Sequence, residues 1–128
     1  MKIIFDTNFL IYCAREKLDY IENISSLVNE DYELVVPVQV INELEKLRDD
    51  KLKKVNGKDK AAAALALDLL EHNHIKKVNL SGKDVDEAII NLAVENSKNI
   101  VCTLDREMRK TLGRVILINK GKKLMLTK

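Results

Sequence analysis

Near the start of the chain, Ile3, Ile4 and Phe5 run without interruption into Asp6, Thr7 and Asn8. An apolar run this short, stopped at an acid, fits a strand buried on both faces. Similar runs recur at Leu34 to Val36, Ile100 to Thr103 and Val115 to Ile118, with a weaker one from Ile75 to Leu80. Helix-forming segments separate them. Strands that alternate with helices call for a parallel sheet covered on both faces, so the expected fold class is α/β, a three-layer α/β/α sandwich.

The helices are read from apolar spacing and end signals. A short one follows Asn8 through Phe9, Leu10, Ile11 and Ala14, and a second is expected over Tyr20 to Asn29. Pro37 suits the first turn of a third, which continues through Val40, Ile41, Leu44 and Leu47. A charged loop from Asp49 to Lys60, with Asn56-Gly57 marking a turn, precedes an Ala- and Leu-rich helix over Lys58 to His72. Asp84, with Glu87 three residues on, fits the cap of the next helix, and Arg106 to Leu112 forms a last short one before Gly113. Lys122 to Thr127 is open between an edge strand and a loose tail. At 128 residues, with neither repeat nor linker, a single domain spanning 1–128 is expected.

Charge distribution is more informative than the net value of +2. The segment 46–60 carries Lys46, Arg48, Lys51, Lys53, Lys54, Lys58 and Lys60 against Asp49, Asp50 and Asp59, and no acid follows Arg109. Such blocks can hold phosphates, although solvated faces look the same and are commoner. There is no Trp, which argues against a base-stacking platform. Cys13 and Cys102 lack metal-type spacing and are expected as buried free thiols in the cytoplasm. No signal peptide is read in the start, and no apolar stretch approaches the roughly 20 residues that span a bilayer.

Two strands end in acids, Asp6 and Asp105. In a parallel sheet all such ends lie on one rim, where ligands bind. Glu43 and Asp86 sit near helix starts that face the same rim. Four carboxylates there repel one another unless a cation neutralises them, and an all-oxygen set suits Mg²⁺ or Mn²⁺. That combination serves phosphodiester hydrolysis. Each acid also has a plain structural reading. Asp6 could be a turn residue, Asp105 an N-cap, and Asp86 a complement to the helix dipole. Glu43 could be merely solvated, and a helical wheel does not prefer it over Glu45. Competing chemistries lack their signatures: there is no Gly-rich phosphate loop and no Gly-x-Ser-x-Gly elbow.

Taken together, Ile4-Phe5-Asp6-Thr7-Asn8, Glu43 within Val40 to Leu47, Asp86 within Asp86 to Ala93, and Thr103-Leu104-Asp105-Arg106-Glu107-Met108 resemble the PIN domain (PilT N-terminus) family across essentially the whole chain. The resemblance implies a five-stranded parallel sheet in the order 3-2-1-4-5. It implies Asp6, Glu43, Asp86 and Asp105 as catalytic metal ligands, with Asn8 and Thr103 as accessory polar residues. It further implies RNA cleavage with Mg²⁺ or Mn²⁺ and, in many members, homodimers. Lys46, Arg48, Lys51, Lys53, Lys54 and Lys58 are the expected RNA contacts, with the basic run from Arg109 onward ranked second. Two branches fit: toxins of toxin–antitoxin pairs, and proteins of ribosomal RNA processing that join pre-ribosomal particles, to which residues 43–47 and 103–107 look closer. An assembly factor with an idle site is the alternative. A structure-specific DNA nuclease ranks last, because the 49–60 loop is too short for a helical arch.

Overall fold

The computed structural model describes residues 1–51, 56–80 and 84–127. The chain runs β1 (Lys2–Phe5), α1 (Thr7–Arg15), α2 (Tyr20–Leu27), β2 (Glu33–Pro37), α3 (Val38–Arg48), α4 (Gly57–His72), β3 (Lys76–Val78), α5 (Val85–Ala93), β4 (Ile100–Cys102), α6 (Arg106–Thr111), β5 (Arg114–Ile118) and β6 (Leu124–Leu126). One sheet carries the strands in the order β3-β2-β1-β4-β5-β6. The first five are parallel in the expected order, and β6 joins antiparallel to β5. Residues 122–127 thus supply an edge strand and not a loose tail. Asn119 makes that hairpin: its side-chain oxygen accepts from Gly121 N (2.9 Å) and Lys123 N (3.1 Å), a turn device common to Asn.

Some boundaries differ from the sequence reading. Helix α1 starts at Thr7, directly after Asp6, and α4 starts at Gly57 because Asn56 caps it through Asp59 N at 2.8 Å. The expected 49–60 loop is correspondingly shorter, and its residues 52–55 lie outside the described residues. The third strand shrinks to Lys76–Val78, and α2 stops at Leu27 because Val28 turns extended. Asp84 caps α5 as expected, its Oδ1 accepting from Glu87 N at 2.8 Å.

The core is centred on β1 and β4. Ile3, Ile4, Phe5, Ile100, Val101 and Cys102 are all fully buried, which explains why these runs carry no polar alternation. Phe5 packs against Tyr20 with ring centroids 5.1 Å apart, fastening α2 over the sheet. Both cysteines are buried and free. At the amino end, Asn99 is buried and bridges elements: its Oδ1 accepts from Lys2 N (2.8 Å) and its Nδ2 donates to Leu92 O (3.1 Å). Helices α1, α3 and α4 pack together, while α5 lies on β1, β2 and β4 and meets α6. The right-handed crossover rule assigns the first group and the second to opposite faces. Among the described residues no helix is long and apolar enough to cross a membrane.

Candidate active site at the carboxyl rim

The register of the two central strands builds the rim. Phe5 pairs with Cys102, so the next residue on each strand leaves the sheet at the same level. Asp6 N donates to Cys102 O at 3.0 Å, and Thr103 N donates to Ile116 O at 3.1 Å. Asp6 and Thr103 are therefore neighbours, and the Thr103 hydroxyl donates to Asp6 Oδ2 at 2.6 Å. Asp6 Oδ1 accepts from Thr7 N at 2.7 Å, so both carboxylate oxygens are held. Asp105 joins the same chain of bonds, its backbone N–H donating to Thr103 Oγ1 at 3.0 Å.

Asp6 is only 3% exposed, which decides its electrostatics. Burial pushes its carboxyl up to about 6; the bonds from Thr103 and Thr7 oppose that rise, and the charges of Asp86 and Glu43 add to it. Asp86 is also raised, by burial first and then by Asp105 and Asp84. The structure thus brings Asp6, Glu43, Asp86 and Asp105 into one electrostatic neighbourhood. Of Glu43 and Glu45, between which the helical wheel did not choose, Glu43 bears on Asp6 while Glu45 lies 3.9 Å from Arg48. Asp105 does act as an N-cap, its Oδ1 accepting from Glu107 N (2.9 Å) and Met108 N (3.3 Å), and its Oδ2 accepts no hydrogen bond among the described residues.

The four acids do not form a closed cage. Among the described residues no group of three His, Cys, Asp or Glu converges closely enough to enclose a metal ion. Asp6 is anchored in the core, Asp105 is half-buried, and Glu43 and Asp86 are exposed on helices, so the set spans buried and open positions. An open, all-carboxylate rim fits a hydrated Mg²⁺ or Mn²⁺, which keeps much of its water and takes few protein oxygens. It does not fit a caged ion. The four described cavities of about 400 to 450 Å³, and a wider one of about 690 Å³, are lined by residues other than these acids.

Of the accessory positions, Thr103 is fully buried and central to the bonding, whereas Asn8 is exposed in the first turn of α1. Two further rim residues carry buried polar atoms, and of these Gln39 was not singled out by sequence. Thr7 is buried with an Oγ1 that has no hydrogen-bond partner among the described residues. Gln39 donates through Nε2 to Leu80 O at 2.7 Å, while its Oε1 is buried without a partner among the described residues. Its place four residues before Glu43 puts both on one helical face, a spacing that could have flagged it. The expected basic contacts divide. Lys46, Arg48, Lys51 and Lys58 are exposed, but Arg48 is committed to Asp49 at 2.8 and 2.9 Å. Lys53 and Lys54 lie outside the described residues.

A parallel α/β sheet with acids gathered where its central strands end defines a class of site suited to charged, oxygen-rich ligands. The profile of the PIN like domain family matches residues 3–119, and the chain belongs to that family. It is 38% identical over 111 residues to ribonuclease VapC4 of Methanocaldococcus jannaschii, covering 87% of this chain and 82% of that protein. Among solved structures, that of the PIN domain endonuclease Utp24 superposes with a TM-score of 0.75 at 18% identity, covering 98% of this chain and 90% of the other. A domain of a functionally unknown protein from Methanocaldococcus jannaschii superposes with a TM-score of 0.53 at 19% identity, covering 85% and 81%. At these identities the two superpositions show the fold alone.

Proposed function

We propose that the protein is a metal-dependent endoribonuclease that hydrolyses RNA phosphodiester bonds at the acidic rim. The observation that carries this reading is Asp6, a buried carboxylate held by Thr103 and Thr7 at the end of the central strand, with Glu43 and Asp86 in electrostatic range. A core carboxylate that burial disfavours is a costly feature, and such groups concentrate at functional sites. The 38% identity to a ribonuclease supports RNA as substrate.

Asp6, Glu43, Asp86 and Asp105 would hold Mg²⁺ or Mn²⁺, partly through water. When bound, such an ion makes a water nucleophilic near neutral pH and stabilises the oxygen that leaves. The chain supplies the positioning. Thr103 fixes Asp6 through its hydroxyl and Asp105 through its oxygen, so one side chain sets the relative placement of two acids. Mutual repulsion among the acids favours any state in which a cation sits between them.

The toxin branch, working in the cytoplasm with an antitoxin partner and as a homodimer, is favoured by the identity to VapC4. A ribosomal RNA-processing role in a pre-ribosomal particle draws only on fold similarity. A second reading is an RNA-binding assembly factor with a weak or idle site, against which the intact set of four acids counts. End-labelled single-stranded RNA incubated with Mn²⁺, with and without EDTA, separates these readings. Internal cleavage that EDTA abolishes supports the nuclease. Cleavage that persists in excess EDTA would sink the metal dependence, and binding without cleavage would favour the assembly factor.

A further inference from the structure

Two basic regions lie along helices that start at the rim, α3 and α6, and their surroundings differ. The cavity beside the end of α3 holds Lys46 and Lys51, but Glu45, Asp49 and Asp50 line it as well. Arg48 nearby is bound to Asp49 on both oxygens, and Lys60 donates to Asp50 O. Farther along, Arg15 lies 3.6 Å from Asp59. In the segment expected from sequence to hold phosphates, Arg48 is thus paired with Asp49, and Lys46 and Lys51 share their cavity with three acids.

The other region lies along α6. A cavity of about 450 Å³ is lined by Arg106, Arg109, Lys110, Gly113 and Thr127, with Leu112 and Val115 as its apolar wall and no carboxylate among the described residues. The side chains of Arg106 and Arg109 make no hydrogen bond or ion pair among the described residues. Lys110 pairs with Glu107 at 3.2 Å, but both side chains are largely exposed and such a pair is readily exchanged for another anion. The helix that carries these cations is capped by Asp105, one of the rim acids. The cavity thus runs from Arg106, next to the site, along a helix of about 9 Å at 1.5 Å per residue toward Gly113, Val115 and Thr127 around the start of β5. The three cations are spread along a path and do not meet at a point.

We infer that the groove along α6, formed by Arg106, Arg109 and Lys110, is the track for the phosphate backbone of single-stranded RNA entering or leaving the rim, and that the 46–51 region is not. The inference rests on the ribonuclease reading. Guanidinium groups without internal partners are available for bidentate contact with phosphate. The scarcity of aromatic side chains means that contact falls on the backbone and not on stacked bases. A strand laid along α6 presents its next phosphates to Arg106 and Arg109 when one phosphate sits at Asp105.

The test uses the full chain with Asp6→Asn to prevent cleavage, and fluorescence anisotropy of a labelled single-stranded RNA over a range of KCl concentrations. In that background, Arg106→Ala with Arg109→Ala should weaken binding by about tenfold or more. It should also flatten the dependence of log K on log salt by about 1.4, the value for two lost phosphate contacts on a single strand. The charge-preserving pair Arg106→Lys with Arg109→Lys should recover most of that slope, which loss of folding would not allow. Lys46→Ala with Lys51→Ala should leave the slope nearly unchanged. An unchanged slope in the Arg106/Arg109 variant, or a loss confined to the Lys46/Lys51 variant, overturns the α6 track while leaving the ribonuclease reading intact. Absence of both RNA binding here and cleavage by the wild-type chain overturns the ribonuclease reading, and this inference with it.

Discussion

Thr103 is the residue on which the rim turns. It is fully buried, donates to Asp6 and accepts from the Asp105 backbone, so replacing its hydroxyl by a methyl leaves a carboxylate oxygen and an N–H without partners. Its bond opposes the upward pull of burial on Asp6. Thr103→Val should therefore raise the Asp6 carboxyl further and shift the acidic limb of the cleavage pH profile to higher pH. The rate near neutrality should fall by about tenfold or more, in line with losing a hydrogen bond to a charged group. A pH–rate profile of the variant checks both; an unmoved acidic limb would detach Thr103 from the chemistry. The same residue marks what sequence could show. Thr103 belonged to a recognisable motif, yet nothing in the motif indicates that it joins two acids, because that depends on β1 and β4 being adjacent at a register pairing Phe5 with Cys102.

Among the elements, those with uninterrupted apolar runs were legible. The segments giving β1, β2, β4 and β5 announce themselves because strands buried on both faces tolerate little polarity. Strand β3 was weak in sequence because Lys76 and Lys77 are exposed at the sheet edge, and β6 was ambiguous because only Leu124 of its three residues is buried. Asn99 was invisible for another reason. A polar residue before a strand reads as loop, whereas here it ties the start of β1, 97 positions earlier in the sequence, to the end of α5. Asn99→Ala should orphan the Lys2 N–H and the Leu92 carbonyl and cost about 1 to 3 kcal/mol. A urea melt should register that loss while the cleavage rate of the folded variant stays near wild type. Unchanged stability would mean that the two groups find other partners.

For the molecule as a whole, the acidic rim works against the fold that holds it. The Asp6 carboxyl stands at about 6 in the folded protein against an ordinary 3.8. Between these values the unfolded chain has released its proton while the folded chain still holds it. Stability is therefore favoured below about 3.8, falls as the pH rises through the window, and stays lower above about 6. The difference amounts to roughly 3 kcal/mol at about 1.4 kcal/mol per pH unit, an upper figure for a group whose surroundings can relax. Asp6→Asn removes the charge, and the Thr103 hydroxyl can turn to accept from the new amide. The variant should melt several degrees above wild type at pH 8, with the gap closing near pH 4. An equal gap at both pH values would mean that the gain does not come from the charge.

The same substitution tests the central claim most directly, that the buried acid at the end of the first strand is the pivot of a ribonuclease site. Initial rates of single-stranded RNA cleavage in Mn²⁺ should be measured for the wild-type chain and for Asp6→Asn, both shown to be folded by their melts. The expected result is cleavage by the wild type and a fall of at least about 100-fold in the variant. Cleavage by Asp6→Asn at the wild-type rate would contradict the assignment.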